Sequence, residues 1–151
     1  MVIHQSAEDY LETILILRER NGMVRSIDIV NELGFTKPSV SVAMKKLREN
    51  GYILADRDGY ITLTELGQAV ADRVYERHRV LTAVLTAIGV DEETAAADAC
   101  KIEHDLSDQT FARIKEYIEK HGVNHVALAL PADERIDGAA AGRGSGAGGA
   151  G

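Results

Sequence analysis

The sequence predicts a mainly α fold carrying one small β-hairpin. Three observations point there. Apolar residues recur at i, i+3, i+4 spacing along most of the chain, several of these stripes open on a capping residue, and only two short runs, residues 52–55 and 60–63, read as strands. With 151 residues and 45% hydrophobic content the chain can bury a core, and 5% aromatic without Trp makes that core aliphatic.

Taken in order, Ser6 followed by Asp9 reads as a capping box, after which Ala7, Tyr10, Leu11, Ile14, Leu15 and Leu17 keep helical spacing until Asn21-Gly22. Ser26 is the expected cap of a second, short helix, which turns Ile29, Val30 and Leu33 inward and stops at a left-handed Gly34. A tight turn leads to Thr36 as the N-cap of a third helix. Pro38 stands in its first turn, where a missing N–H costs little, and Val40, Ala43, Met44 and Leu47 form its apolar stripe. The two β-prone runs flank Asp56-Arg57-Asp58-Gly59, and Asp-Gly is a hairpin signal. Thr64 caps a long helix through Leu81 and Leu85 to Ile88. Asp91 opens a further helix expected to run past Cys100 to about His104, and Ser107 opens a last one to His121-Gly122. The expected division is residues 1–73 as a winged helix-turn-helix, 74–130 as a helical metal-binding and dimerisation domain, and 131–151 as a Gly/Ala-rich tail with too little to bury to fold.

No apolar run approaches the roughly 18 residues of a membrane span, and the N-terminus lacks the basic-then-apolar order of a signal peptide, so a cytoplasmic protein without membrane partners is expected. A single cysteine, Cys100, leaves no internal disulfide. The net charge of −7 argues at first against nucleic acid. It is unevenly spread: residues 1–73 hold nine basic against eleven acidic groups, and residues 74–151 hold eight against thirteen. Residues 36–48 carry Lys37, Lys45, Lys46 and Arg48 with no carboxylate.

Helix, short helix, Gly-containing turn, helix and hairpin is the order of a winged helix-turn-helix, whose helix after the turn enters the major groove. Lys37, Ser41, Lys45 and Arg48 fall on one face of that third helix, opposite the apolar stripe. Thr36, Pro38 and Ser39 stand at its N-terminus, where hydroxyls and backbone N–H groups reach phosphates, Lys46 adds charge, and Arg57 stands at the wing tip. A charge cluster alone is more often a solvated face. The joint pattern of capped turn, basic helix and ribbon favours double-stranded DNA.

Cys100, Glu103 and His104 fall at i, i+3 and i+4, Asp9 and Glu12 at i, i+3, and His78 stands on the long helix. Singly, each has a blander reading as a cap, a core thiol or a surface histidine. Together, carboxylate, imidazole and thiol suit a divalent first-row ion better than Ca or Mg.

These residues resemble the two-domain, metal-dependent repressors of the diphtheria-toxin-repressor type, especially the manganese-responsive MntR branch. The resemblance spans most of residues 5–122 and rests on Glu8-Asp9-Tyr10-Leu11-Glu12, Lys37-Pro38-Ser39-Val40-Ser41, Arg77-His78-Arg79, Gly89-Val90-Asp91 and the run from Cys100 to Ser107. It implies a metal site of Asp9, Glu12, His78, Cys100, Glu103 and His104, with the N-terminal half binding DNA and the C-terminal helices dimerising. Asp9 and Glu12 look like the manganese type and Cys100 like the iron type. The second, ancillary site of the iron branch looks broken, because Thr82 and Ala96 stand where ligands are expected.

The expected function is therefore a transcriptional repressor that binds operator DNA as a homodimer when loaded with Mn(II) or Fe(II), with Co(II) or Zn(II) as further candidates, and that controls metal homeostasis genes. The alternative is a metal-independent winged-helix regulator with an organic effector. A metallohydrolase or di-iron enzyme is disfavoured, since there is no His-Glu-x-x-His and no Glu is followed three residues later by His.

Overall fold

The first helix, α1 (Gln5–Asn21), buries every residue from Tyr10 to Leu15 as well as Leu17, so it runs through the middle of the N-terminal half. In the computed structural model, which describes residues 4–122, its cap is not Ser6. The hydrogen-bonded ladder starts two residues earlier, with Glu8 N–H donating to His4 O at 3.1 Å, so Ser6 lies inside the first turn and Asp9 is free to face elsewhere. Gly22 ends α1 at φ 80°, its N–H donating to Arg18 O.

The second helix, α2 (Ser26–Leu33), also starts before its expected cap. Arg25 holds the N-cap position, and its N–H donates to Asp28 Oδ2 at 2.8 Å. Only the reciprocal half of a capping box is thus in use, which leaves Ser26 in the first turn. Gly34 is left-handed at φ 69°, ψ 20°, as the turn requires. In α3 (Lys37–Glu49) the Thr36 side chain accepts from Ser39 N–H at 3.3 Å. Strands β1 (Ile53–Ala55) and β2 (Ile61–Leu63) pair antiparallel with Ile53 opposite Leu63 and Ala55 opposite Ile61. Asp56 organises the wing tip by accepting from Asp58 N–H and Tyr60 N–H, each at 2.9 Å. Leu11, Ile14, Ile29, Val40 and Ile53 are fully buried where these elements meet. Each such side chain contributes about 1.5–3 kcal/mol.

Thr64 joins this half to α4 (Glu65–Ala87), accepting from Gly67 N–H at 3.1 Å and donating to Gly51 O at 2.6 Å. Here the helix passes so close to the Tyr52 carbonyl that a Cβ on Gly67 would sit 2.0 Å from that oxygen. Gly67→Ala is expected to lower the urea midpoint with an unchanged m-value, by about 1–3 kcal/mol of overpacking.

The chain continues as α5 (Glu92–Ile102), capped by Asp91, and α6 (Asp108–His121), capped by Ser107. The fifth helix ends at Ile102, short of the expected His104, so Glu103 is its C-cap and His104 lies in the following turn. Val84, Leu85, Ile88, Ile114 and Ile118 are only half-buried, whereas Leu81 and Phe111 are buried. No helix among the described residues is long and apolar enough to cross a membrane. Residues 123–130 of the expected second domain and the whole Gly/Ala-rich stretch 131–151 lie outside the described residues.

Candidate metal centre

Three helices and one turn deliver polar side chains to one point. Asp9 and Glu12 come from α1, His78 from the middle of α4, Cys100 from the last turn of α5, and Glu103 and His104 from the turn after it. Ligand atoms of Asp9, Cys100 and Glu103 lie within 4.8 Å of one another, as do those of Glu12, His78 and Glu103. The two sets share Glu103, whose side chain is completely buried. His78 Nδ1 is 2.9 Å from Glu103 Oε2, and His104 Nε2 is 2.7 Å from Asp9 Oδ1 and 3.3 Å from Glu103 Oε1.

Two of these atoms lack what buried polar atoms normally have. Glu103 Oε1 and His104 Nε2 are buried with no properly aligned hydrogen-bond partner among the described residues. Asp9 Oδ1 is near enough to His104 Nε2 but lies off the N–H direction, so the contact is close without being a hydrogen bond. A carboxylate oxygen and an imidazole nitrogen left over side by side, with a second carboxylate and a thiol adjacent, fit a divalent transition ion.

The electrostatics of the cluster favour protonation of both its carboxyls and its imidazoles. Burial pushes the Glu12 carboxyl up to about 7, helped by the neighbouring Glu103 carboxylate. Burial also raises Asp9. A hydrogen bond with Glu103 raises His78. His104 is raised although desolvation opposes it, because Glu8, Asp9 and Glu103 surround the ring. Cys100 lies on the exposed rim, yet partial desolvation and the nearby carboxylates push its thiol up to about 11. It is therefore a thiol at neutral pH, and ligation through sulfur releases its proton.

A raised folded-state pKa means stability present at low pH and lost as pH rises through that pKa, for carboxyl and imidazole alike. Glu12, Asp9, His78 and His104 all carry this sign. The melting temperature of the EDTA-treated protein is expected to fall between pH 5.5 and 8, and Mn(II) to restore it most strongly at the high end. Melting curves across that window, with and without metal, check both halves; a rise in the metal-free protein would contradict them.

Residues outside the sequence-derived set brace the cluster. His104 Nδ1–H donates to Glu8 Oε2 at 2.7 Å, and Arg73 donates to Glu8 Oε1 at 2.9 Å. The buried Arg77 donates to the backbone oxygens of Glu103 at 3.1 Å and Leu106 at 2.6 Å and pairs with Asp108, so it fastens the turn that carries Glu103 and His104. A signal existed in the spacing: Glu8 and Glu12, and Arg73 and Arg77, are i, i+4 pairs, each on one helical face. Thr82 is engaged within its own helix, donating to His78 O at 2.7 Å.

The basic residues divide between two flanks of α3. Ser41, Lys45, Arg48 and Arg57 line a cavity of about 350 Å³ between α3 and the hairpin. Pro38, Ser39 and Lys46 line one of about 650 Å³ on the α1 side. Thr36 and Lys37 are exposed at the helix start. Lys45 is 3.9 Å from Glu49 in an exposed pair, worth little.

Two family models match the chain: the N-terminal DNA binding domain of iron dependent repressors over residues 3–61, and the iron dependent repressor metal binding and dimerisation domain over residues 64–125. An uncharacterized HTH-type transcriptional regulator of Methanocaldococcus jannaschii is 37% identical over 118 residues, 77% of this chain and 94% of that protein. The HTH-type transcriptional regulator MntR of Lysinibacillus sphaericus is 35% identical over 114 residues, 76% of this chain and 82% of that protein. A solved manganese-dependent transcriptional repressor in complex with manganese superposes with a TM-score of 0.69 at 29% identity, over 75% of this chain. The chain spans 52% of that repressor's length.

Proposed function

Because this chain belongs to the iron-dependent repressor family of metal-dependent, non-enzymatic transcriptional repressors, we propose that Asp9, Glu12, His78, Cys100, Glu103 and His104 hold its activating ion and that metal occupancy sets its affinity for operator DNA. The observation that carries this reading is Glu103, a completely buried carboxylate shared by two ligand sets that draw on α1, α4 and α5. Either set would hold a divalent ion, and Glu103 would serve in each. The family is Mn- and Fe-dependent, so Mn(II) or Fe(II) is the expected activator, while Cys100 makes Co(II) and Zn(II) competitors.

The division of labour follows from where the ligands originate. Asp9 and Glu12 belong to the DNA-binding half, residues 1–73, and the other four to the half that begins at residue 74. Without an ion, the carboxylates and surrounding burial leave the cluster dependent on protons. Asp9 and Glu12 of α1, with His78 of α4, Cys100 of α5 and Glu103 and His104 after it, would hold a divalent cation whose charge would neutralise the cluster, and ligands drawn from both halves would favour one arrangement of them. Tyr10, between the two α1 ligands, packs edge-on against Phe35 with ring centroids 5.9 Å apart. Phe35 stands next to Thr36, the cap of α3, so the position of α1 is felt at the DNA-reading helix.

Lys37, Ser41, Lys45, Lys46, Arg48 and Arg57 are the proposed phosphate contacts, with Thr36, Pro38 and Ser39 at the helix N-terminus. A homodimer places two such helices on one duplex, and the half-buried aliphatic residues of α4 and α6 are its proposed contact. A cytoplasmic location fits a repressor of this kind. Fluorescence anisotropy on DNA from the protein's own promoter, titrated with Mn(II), anaerobic Fe(II), Co(II) and Zn(II), tests the reading. Binding that appears with metal and is reversed by EDTA supports it. Equal binding in EDTA would favour the metal-independent regulator.

A further inference from the structure

The geometry points to Glu8 as a positioning residue of the metal centre: it fixes the His104 ring so that Nε2 faces the ligand cluster, and it does so only while α1 is docked on α4. This rests on the proposed ligation by His104. The ring is almost wholly buried, its side chain 3% exposed, and its two nitrogens have different surroundings. Nδ1 has a well-formed hydrogen bond to the Glu8 carboxylate at 2.7 Å, whereas Nε2 faces Asp9 and Glu103 without an aligned partner. A carboxylate can only accept, so the proton belongs on Nδ1 and the lone pair of the neutral ring on Nε2. That is the tautomer ligation through Nε2 needs.

Glu8 is itself held in place. Arg73 of α4 donates to its second oxygen at 2.9 Å and lies 3.9 Å from Asp108 at the start of α6. The path Arg73–Glu8–His104 therefore crosses from α4 to α1 to the turn after α5. If α1 moves off α4, His104 loses its orienting acceptor even though no metal ligand has been altered.

Zn(II) affinity by chelator competition, and NMR of the Zn(II)-loaded protein labelled with ¹⁵N at histidine, test this on the full chain. Glu8→Ala is expected to weaken Zn(II) binding about 10–100-fold and to lose the downfield His104 Nδ1–H signal to solvent exchange. Glu8→Gln, whose amide oxygen still accepts from Nδ1–H, is expected to recover most of the affinity and the signal. His104→Ala is measured alongside. If His104→Ala weakens binding while Glu8→Ala leaves affinity and signal unchanged, the role of Glu8 is overturned and the ligand set stands. If Glu8→Ala and Glu8→Gln weaken binding equally with the signal intact, Glu8 acts by charge alone and the positioning role is likewise overturned. If His104→Ala changes nothing, the ligand set fails and this inference with it.

Discussion

Glu103→Gln is expected to weaken Mn(II) binding by roughly two to three orders of magnitude and to abolish metal-induced DNA binding. Glu103 is common to both ligand sets, so a neutral side chain there disables both together. Removing one partner from a buried charge cluster costs about 3–5 kcal/mol, and about 1.4 kcal/mol corresponds to each tenfold in Kd. Gln is nearly the same shape, so the fold should persist. The metal-free variant carries a second readout. The Glu103 carboxylate helps hold Glu12 up at about 7, so Glu12 should titrate lower in the variant. Isothermal titration with Mn(II) and carboxyl-detected NMR titration read the two effects. A variant that still bound DNA in response to Mn(II) would remove Glu103 from the centre of the account.

Lys45→Ala with Arg48→Ala is expected to weaken DNA binding roughly 10–1000-fold near physiological salt and to leave Mn(II) affinity of the free protein unchanged. Both side chains are exposed beside the hairpin, and neither supports the core. A dimer loses up to four phosphate contacts, so the slope of log K against log salt should become shallower by about one for each. Anisotropy at several salt concentrations measures it. An unchanged slope would place the DNA on another face.

Much of the fold was legible because it obeys short-range rules. The Thr36 cap, the left-handed Gly34 and the ribbon around Asp58-Gly59 depend on residues within a few positions of one another. The starts of α1 and α2 differ for the same reason: Ser6 and Ser26 are good caps in isolation, but the chain caps α1 two residues earlier, at His4, and α2 one residue earlier, at Arg25. The end of α5 was misread for a different one. Arg77, 26 residues before Glu103, takes its backbone oxygen and that of Leu106, which fastens the turn after Ile102. Glu103 keeps helical dihedrals and donates its N–H to Ala99 O at 2.9 Å, so it follows Cys100 on one face, while His104 enters the turn.

The polar residues of the centre stood out by spacing within each segment, whereas their convergence is a property of α1, α4 and α5 packing together. The i, i+4 spacing of Glu8 with Glu12 and of Arg73 with Arg77 is visible locally, but their partners are not, because a hydrogen bond spanning 96 residues to His104 and one spanning 65 residues between Arg73 and Glu8 join distant segments. The resemblance to a repressor family supplied the grouping that spacing could not.

A free-energy coupling between the metal cluster and the DNA face must be reciprocal. The most direct measurement is the Mn(II) dissociation constant of the protein, free and saturated with its promoter DNA, set beside the DNA affinity with and without Mn(II). Mn(II) is expected to bind more tightly on DNA, by the same factor by which Mn(II) tightens DNA binding, about 5–150-fold for couplings of ordinary size. Identical Mn(II) affinity in the free and DNA-bound protein would contradict it.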